Sequence, residues 1–198
     1  MQQPNFLIFI TDQHRADHLG CYGNPVVRSP NIDALARQGA RFDRAYVANP
    51  VCMPNRGSIM TARMPSAHGA RSNGIALPLE SVTFADLLVE SGYHTALIGK
   101  SHLQTMEDKP PLLPPTVLPP GTQPSTHYRE ARRDTAPVAL YEQELRSRWK
   151  DPQHRMQLPY YGFQDVILCN HHADECFGDW LRWLQAEHPE QAARIGRE

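Results

Sequence analysis

The stretch NFLIFITDQ, residues 5–13, decides how this chain is read. Residues 5–10 form a nearly unbroken apolar run rich in Phe and Ile, with no alternation of apolar and polar positions. That is the pattern of a central parallel strand covered on both faces. The run ends in Thr11, Asp12 and Gln13. In open α/β sheets ligands bind just beyond the carboxyl ends of strands, so Asp12 and Gln13 stand where oxygen ligands are useful. The competing reading of Asp12 is a simple cap for the segment that follows.

The pattern recurs twice. Residues 95–98 form a second short buried strand that runs into Gly99, Lys100, Ser101 and His102. FQDVILC, residues 163–169, forms a third and runs into Asn170, His171 and His172. In a parallel sheet these ends open on one edge, which places Lys100 and His102 beside Asp12 as an oxyanion site. A surface lysine and a solvated histidine are the alternative. Adjacent residues of an extended chain point to opposite sides, so only one of His171 and His172 enters a given site.

Helical signals lie between the strands. Ser29 and Pro30 open a helix with a capping side chain and a proline in its first turn, with Ile32, Leu35 and Ala36 as its stripe and Gly39 at its end. Thr83 with Asp86 forms a capping box ahead of Phe84, Leu87 and Leu88, and Gly92 ends that helix. Phe177, Trp180, Leu181 and Leu184 mark a helix within residues 174–187, and Pro189 stands at its end. Residues 41–48 read as a short strand and residues 65–78 as a loop carrying His68, Arg71 and Asn73. Val138, Tyr141, Leu145 and Trp149 recur at helical spacing and predict an amphipathic helix. Residues 110–124 hold seven prolines, so the segment 105–126 reads as an extended insertion. Strands alternating with helices specify an α/β fold: a mostly parallel central sheet with helices on both faces.

The chemistry centres on VCMPNRGSIMTAR, residues 51–63. A helix starting near Pro54 puts Cys52 at its positive end, where anions are favoured. Arg56, four residues on, lies on the same side of the first turn and brings a permanent charge close. The pairing suggests a nucleophile beside an anion site.

Composition narrows the rest. The 198 residues include 20 basic and 21 acidic side chains, so no net charge draws the chain to nucleic acid or an anionic membrane. The opening apolar run is too short for a signal segment, and no apolar run approaches bilayer length. Cys21, Cys52, Cys169 and Cys176 contain no C-x-x-C spacing and read as reduced thiols of a cytoplasmic protein.

CMPNRGSIMTAR resembles the C-x-P-x-R signature of the sulfatase family, within the alkaline-phosphatase-like superfamily. FITDQHRADHLGCYG, SPNIDALARQGARFDRAY, HGARSNG and HTALIGKSHL resemble successive blocks of that family in order, over roughly residues 4–104, and YYGFQDVILCNHHADECFGDWLRWL does so more loosely. The resemblance implies that residues 1–198 are the N-terminal part of a single catalytic domain of incomplete alkaline-phosphatase-like fold. It implies that Cys52 is oxidised to Cα-formylglycine by a formylglycine-generating enzyme, and that the aldehyde hydrate attacks a small-molecule sulfate ester. Arg56 then holds the hydrate, Lys100 and His102 contact it and the sulfate oxygens, and Asn73 and one of His171 and His172 reach the ester. Asp12 and Gln13, with modified Cys52, bind a divalent cation, Ca²⁺ ahead of Mg²⁺ or Mn²⁺. Gln13 stands where many relatives carry a second Asp, which keeps a phosphonate monoester or phosphodiester hydrolase as an alternative. A non-catalytic anion-binding remnant is another. The family's remaining metal ligands and a further active-site Lys have no counterpart in residues 105–198, which predicts little or no turnover by this chain alone.

Overall fold

The computed structural model describes residues 3–109 and 138–195. Most of the proline-rich insertion therefore lies outside the described residues. The chain forms two compact units, Met1–Tyr46 and Val47–Glu198.

In the first unit, two short 3₁₀ turns, Ala16–His18 and Gly20–Tyr22, precede helix α1, Pro30–Gln38. The expected capping bond from Ser29 to the helix is absent. Its hydroxyl instead accepts from Gly20 N–H at 2.8 Å and donates to Asp33 at 3.0 Å, while Asp33 accepts from Cys21 N–H at 2.7 Å. Ser29 and Asp33 tie the preceding turn to α1. A Cβ at Gly20 would lie 2.4 Å from the Asp33 carboxylate, so a larger residue there would have to displace that side chain.

Residues 5–10 do not form the expected strand. Phe6, Leu7, Ile8, Phe9 and Ile10 are exposed, Phe9 by 82%. A strand is made by its partners, and among the described residues of this unit no strand is available to pair with the run. Residues 41–48 likewise stay irregular; Phe42 gives its carbonyl to the Tyr22 hydroxyl at 2.7 Å, a tertiary bond in place of a ladder.

The second unit carries the sheet. Strand β1, Ala96–Gly99, pairs in parallel with β2, Asp165–Asn170, and β2 pairs antiparallel with the short β3, Phe177–Gly178. Register sets Leu97 opposite Val166 and Ile98 opposite Ile167. Leu97 and Val166 pack against a core of Met60, Leu77, Ala85, Leu103, Tyr160, Tyr161 and Phe163. Ile98 and Ile167 point the other way and are exposed. Val166 also meets a second cluster, Met106, Trp149, Leu168 and Phe177.

Helix α2 is Cys52–Thr61, α3 is the single turn Pro65–His68, and α4 is Phe84–Glu90. The turn α3 lies inside the segment read as a loop, with Pro65 supplying its first residue. At α4 the capping box forms as expected: Thr83 Oγ1 accepts from Asp86 N–H at 3.2 Å, and the Asp86 carboxylate accepts from Thr83 N–H at 2.8 Å. Helix α5, Asp179–Glu187, and the turn α6, Pro189–Ala192, follow β3. No helix among the described residues is long and apolar enough to cross a membrane.

The amphipathic helix expected from Val138 to Trp149 is replaced by two 3₁₀ turns, Val138–Tyr141 and Arg148–Lys150. Tyr141, Leu145 and Trp149 are buried as their spacing requires. The backbone between them is claimed by side chains: Gln143 N–H donates to Gln104 Oε1 at 3.1 Å, and Gln143 C=O accepts from Trp149 Nε1 at 3.0 Å. With both groups taken, the i to i−4 ladder cannot run through.

Candidate active site

Cys52 is the first residue of α2, with Val51 as the extended cap before it. Its side chain is half-buried at the end where backbone N–H groups point outward and anions are favoured. One of those N–H groups, from Met53, donates to Asn73 Oδ1 at 3.1 Å. Gly74 N–H meets Met53 Sδ at 3.0 Å. The loop after α3 is thus pinned at the start of α2 through Asn73 Oδ1.

The far side of α2 explains that rigidity. Met53, Pro54, Gly57, Ser58 and Met60 are buried. Buried His68 accepts from Ala70 N–H through Nδ1 at 3.2 Å, which leaves the proton on Nε2, 3.0 Å from Ser58 Oγ. Burial lowers the His68 pKa, so the ring is held neutral.

One turn after Cys52, Arg56 Nη1 donates to the backbone carbonyl of Lys100 at 2.7 Å. The start of α2 is thereby tied to the end of β1. Gly99 pairs with Leu168, so the chain beyond β1 and the end of β2 run side by side. Lys100 Nζ lies 2.7 Å from His172 Nε2, an ammonium donating to an imidazole nitrogen. His171 turns elsewhere: its Nδ1 lies 2.9 Å from the Glu175 carboxylate and its ring lies 6.3 Å from that of Phe177. Of the two adjacent histidines, His172 is the one at Lys100.

His102 is 5% exposed and sits at φ 52°. A left-handed backbone at a non-glycine residue costs about 1–3 kcal/mol and persists only where the surroundings over-determine it. Here they do. Glu144, fully buried, accepts from three successive backbone N–H groups: His102 at 2.8 Å, Leu103 at 3.0 Å and Gln104 at 3.1 Å. It also accepts from Asn170 Nδ2 at 2.5 Å and from the Tyr160 hydroxyl. Asn170 Oδ1 in turn accepts from Ser101 N–H at 3.1 Å. Burial, and then the Glu144 charge, push the Tyr160 pKa well above its ordinary value, so the phenol remains a donor. Nothing in the sequence marked Glu144, which lies in a charged segment where solvent exposure was the natural reading. Asn170 was visible only as a polar strand end.

Asp12 and Gln13 belong to the first unit. Both are exposed, and Gln13 sits at φ 51°, bordering a cleft of about 690 Å³ with His14, Arg28 and Ser29.

Within the second unit the structure therefore joins the start of the helix that bears Cys52, through Asn73 and Arg56, to the strand end that carries Lys100 and, through Lys100, to His172, with His102 two residues after Lys100 on the chain. Known proteins resemble the chain over this part of its sequence. Over 102 residues the chain is 36% identical to an N-acetylglucosamine-6-O-sulfatase of Bacteroides thetaiotaomicron, covering 52% of this chain and 18% of the relative. Over 112 residues it is 40% identical to human steryl-sulfatase, covering 50% and 19%. It is 40% identical over 101 residues to an ulvan-active sulfatase of Formosa agariphila, covering 51% and 20%. The matched part thus spans about a fifth of the length of these relatives. A solved structure in complex with its substrate D-glucosamine-2-N,6-O-disulfate superposes with a TM-score of 0.50 at 36% identity, over 52% of this chain and 21% of that one. The sequence profile of the Sulfatase family matches residues 4–114, more than half of the chain. By that match, the chain belongs to the sulfatase family.

Proposed function

We propose that this chain carries the nucleophile and part of the anion cradle of a sulfuric ester hydrolase, with Cys52 converted to Cα-formylglycine by a formylglycine-generating enzyme. The observation that carries the reading is the junction of α2 with the two strand ends, in which Arg56 holds the Lys100 carbonyl and Lys100 holds His172. These contacts fix cationic and imidazole groups around the start of the helix that bears Cys52.

The aldehyde of formylglycine is present in water as a gem-diol. One diol oxygen attacks the sulfur and the S–O bond to the alcohol breaks. The sulfated diol then loses the proton of its second hydroxyl and collapses to the aldehyde, releasing sulfate. A serine has no second hydroxyl and would stop at the sulfated enzyme. In this scheme Lys100 and Arg56 offset charge on the sulfate oxygens. His102 orients the hydrate, and the hydrogen-bonded Lys100–His172 pair delivers a proton to the departing alcohol. Asn73 keeps the helix start rigid through its bond to Met53.

Asp12 and Gln13 offer hard oxygen donors, which suit Ca²⁺, Mg²⁺ or Mn²⁺ over soft metals. Such a cation supplies Lewis-acid neutralisation of the ester oxygens when bound. Ca²⁺ takes roughly six to eight oxygen ligands, so two side chains fill only a minority of its shell and this chain holds it weakly.

The test is mass spectrometry of the tryptic peptide covering residues 45–56, from chain produced together with a formylglycine-generating enzyme. An aldehyde at Cys52 is expected. An unmodified thiol in every such preparation overturns the reading and leaves an anion-binding remnant.

A further inference from the structure

Four successive backbone N–H groups, Ser101 through Gln104, converge on two side chains. His102, Leu103 and Gln104 donate to Glu144, and Ser101 donates to Asn170, which itself donates to Glu144. Consecutive N–H groups pointing into one concavity make a nest of the kind that binds anions. In this protein the anion is the chain's own carboxylate, supplied from the segment between the two 3₁₀ turns that follow the proline-rich region.

The location gives the nest its meaning. It begins one residue after Lys100, whose carbonyl is held by Arg56, and it contains His102 at φ 52°. Through Asn170 it reaches the residue just before His171 and His172. Gln104 fastens the other side of the cradle, with Oε1 accepting from Gln143 N–H at 3.1 Å and Nε2 donating to Leu140 C=O at 2.9 Å. Tyr160 closes the remaining approach with its hydroxyl. A buried carboxylate with this many donors is fixed in place, and so is every amide that points at it.

We infer that Glu144 is a positioning residue: its carboxylate sets the left-handed turn that carries His102 and, through Asn170, holds the β2 end that carries His172 in register with Lys100. This rests on the reading of Lys100, His102 and His172 as the groups that meet a sulfate ester. Glu144 touches none of the reacting atoms. It acts by fixing the backbone from which those side chains project, and a neutral amide at this position would turn an N–H₂ toward donors and lose that hold.

The test uses nuclear magnetic resonance on the isotopically labelled full 198-residue chain, with Glu144→Gln and Glu144→Asp. In the unsubstituted protein, the amides of His102, Leu103 and Gln104 are expected to exchange slowly with solvent, unlike ordinary loop amides. In Glu144→Gln, at a temperature where the chain remains folded, their exchange is expected to quicken roughly 10- to 100-fold. The ring signals of His102 and His172 should shift, and that of His68, bonded to Ser58 and Ala70 and not to the Glu144 cluster, should not. Glu144→Asp should restore part of the protection. Fast exchange at all three amides in the unsubstituted protein overturns the inference. So does a Glu144→Gln chain of lower melting temperature whose His102 and His172 signals are unmoved, since a merely structural carboxylate gives that result. If Glu144→Gln does not fold, Asn170→Ala, which keeps the carboxylate and removes its bridge to Ser101, is judged by the His172 signal on the same terms. All chains are produced without a formylglycine-generating enzyme, so that Cys52 is the thiol in every one compared. Failure to form formylglycine and failure of the positioning role are therefore read separately.

Discussion

The guanidinium of Arg56 and the backbone carbonyl of Lys100, 44 residues apart in sequence, are joined at 2.7 Å. The bond links the first turn of α2 to the end of β1, so the helix bearing Cys52 and the strand end bearing Lys100 and His102 move together. Replacing Arg56 with Lys keeps the charge but shortens the reach and removes the planar fork. A hydrogen bond from a charged donor contributes about 1.5–3 kcal/mol, and Arg56 is only partly buried, so the lower end applies. Arg56→Lys should lower the urea midpoint by the equivalent of about 1 kcal/mol with an unchanged slope. An unchanged midpoint would mean that the two elements are held together without this bond.

His68 makes stability depend on pH. Burial holds its pKa below the ordinary 6.5, so the unfolded chain binds a proton that the folded chain resists. The stabilisation is fully present above the unfolded value, about 6.5, and is lost as pH falls through it toward the lower folded value. Urea midpoints should therefore drop between pH 8 and pH 5. His68→Gln should flatten part of that drop while lowering stability at pH 8, because Ala70 N–H and Ser58 lose their ring partner. Parallel slopes for the two proteins across this range would remove His68 from the account.

Gly57, on α2, faces that ring. A Cβ at position 57 would lie 2.9 Å from His68 Cε1. In an exposed helix interior Gly→Ala gains about 0.5–1 kcal/mol. Here the ring is fastened at both nitrogens and cannot swing away, so overpacking of about 1–3 kcal/mol outweighs that gain. Gly57→Ala should melt lower than the unsubstituted chain. A higher melting temperature would show that the ring yields more easily than its two bonds imply.

What could be read from sequence follows the range of the interactions concerned. The Thr83 and Asp86 capping box is a contact three residues long and needs nothing from elsewhere, so it was legible and is present. The start of α2 was legible for the same reason, through Pro54 and the apolar residues after it. Strand β1 and its polar end were visible in residues 95–102. Residues 5–10 have the composition of a buried strand, but a strand forms only by pairing, and composition names no partner. The segment from Tyr141 to Trp149 kept its buried positions and lost its helix, because Gln143 and Glu144 serve Gln104 and the amides of residues 102–104. That dependence joins residues about forty apart and leaves no local trace. Ser29 was read as a cap because of its type and place; the nine-residue reach of Gly20 N–H to its hydroxyl was not visible. Which of His171 and His172 meets Lys100 depended on the turn after β2, where His171 sits at φ 80°.

The contact between Gly162 and α4 gives the sharpest stability prediction. Gly162 follows the Tyr160–Tyr161 pair, whose rings meet edge to face at 4.7 Å, and its φ is 85°. A Cβ there would lie 2.4 Å from Asp86 N and 2.8 Å from Ala85 C, both backbone atoms of the first turn of α4. Backbone in a capped helix cannot move aside as a flexible side chain would. The turn is also held from the other direction, since Thr83 Oγ1 donates to Tyr161 C=O at 2.9 Å and Thr95 Oγ1 donates to Gly162 C=O at 2.7 Å. Gly162→Ala therefore adds a left-handed backbone cost of about 1–2 kcal/mol to a clash that must displace α4 or break these bonds. The combined loss should exceed about 2 kcal/mol, more than Thr83→Ala, which removes one cap and the bond to Tyr161 C=O at about 1 kcal/mol each. Paired urea titrations of the two variants decide it: a Gly162→Ala midpoint at or above that of Thr83→Ala would mean that the segment after Tyr161 is free to lift from the start of α4.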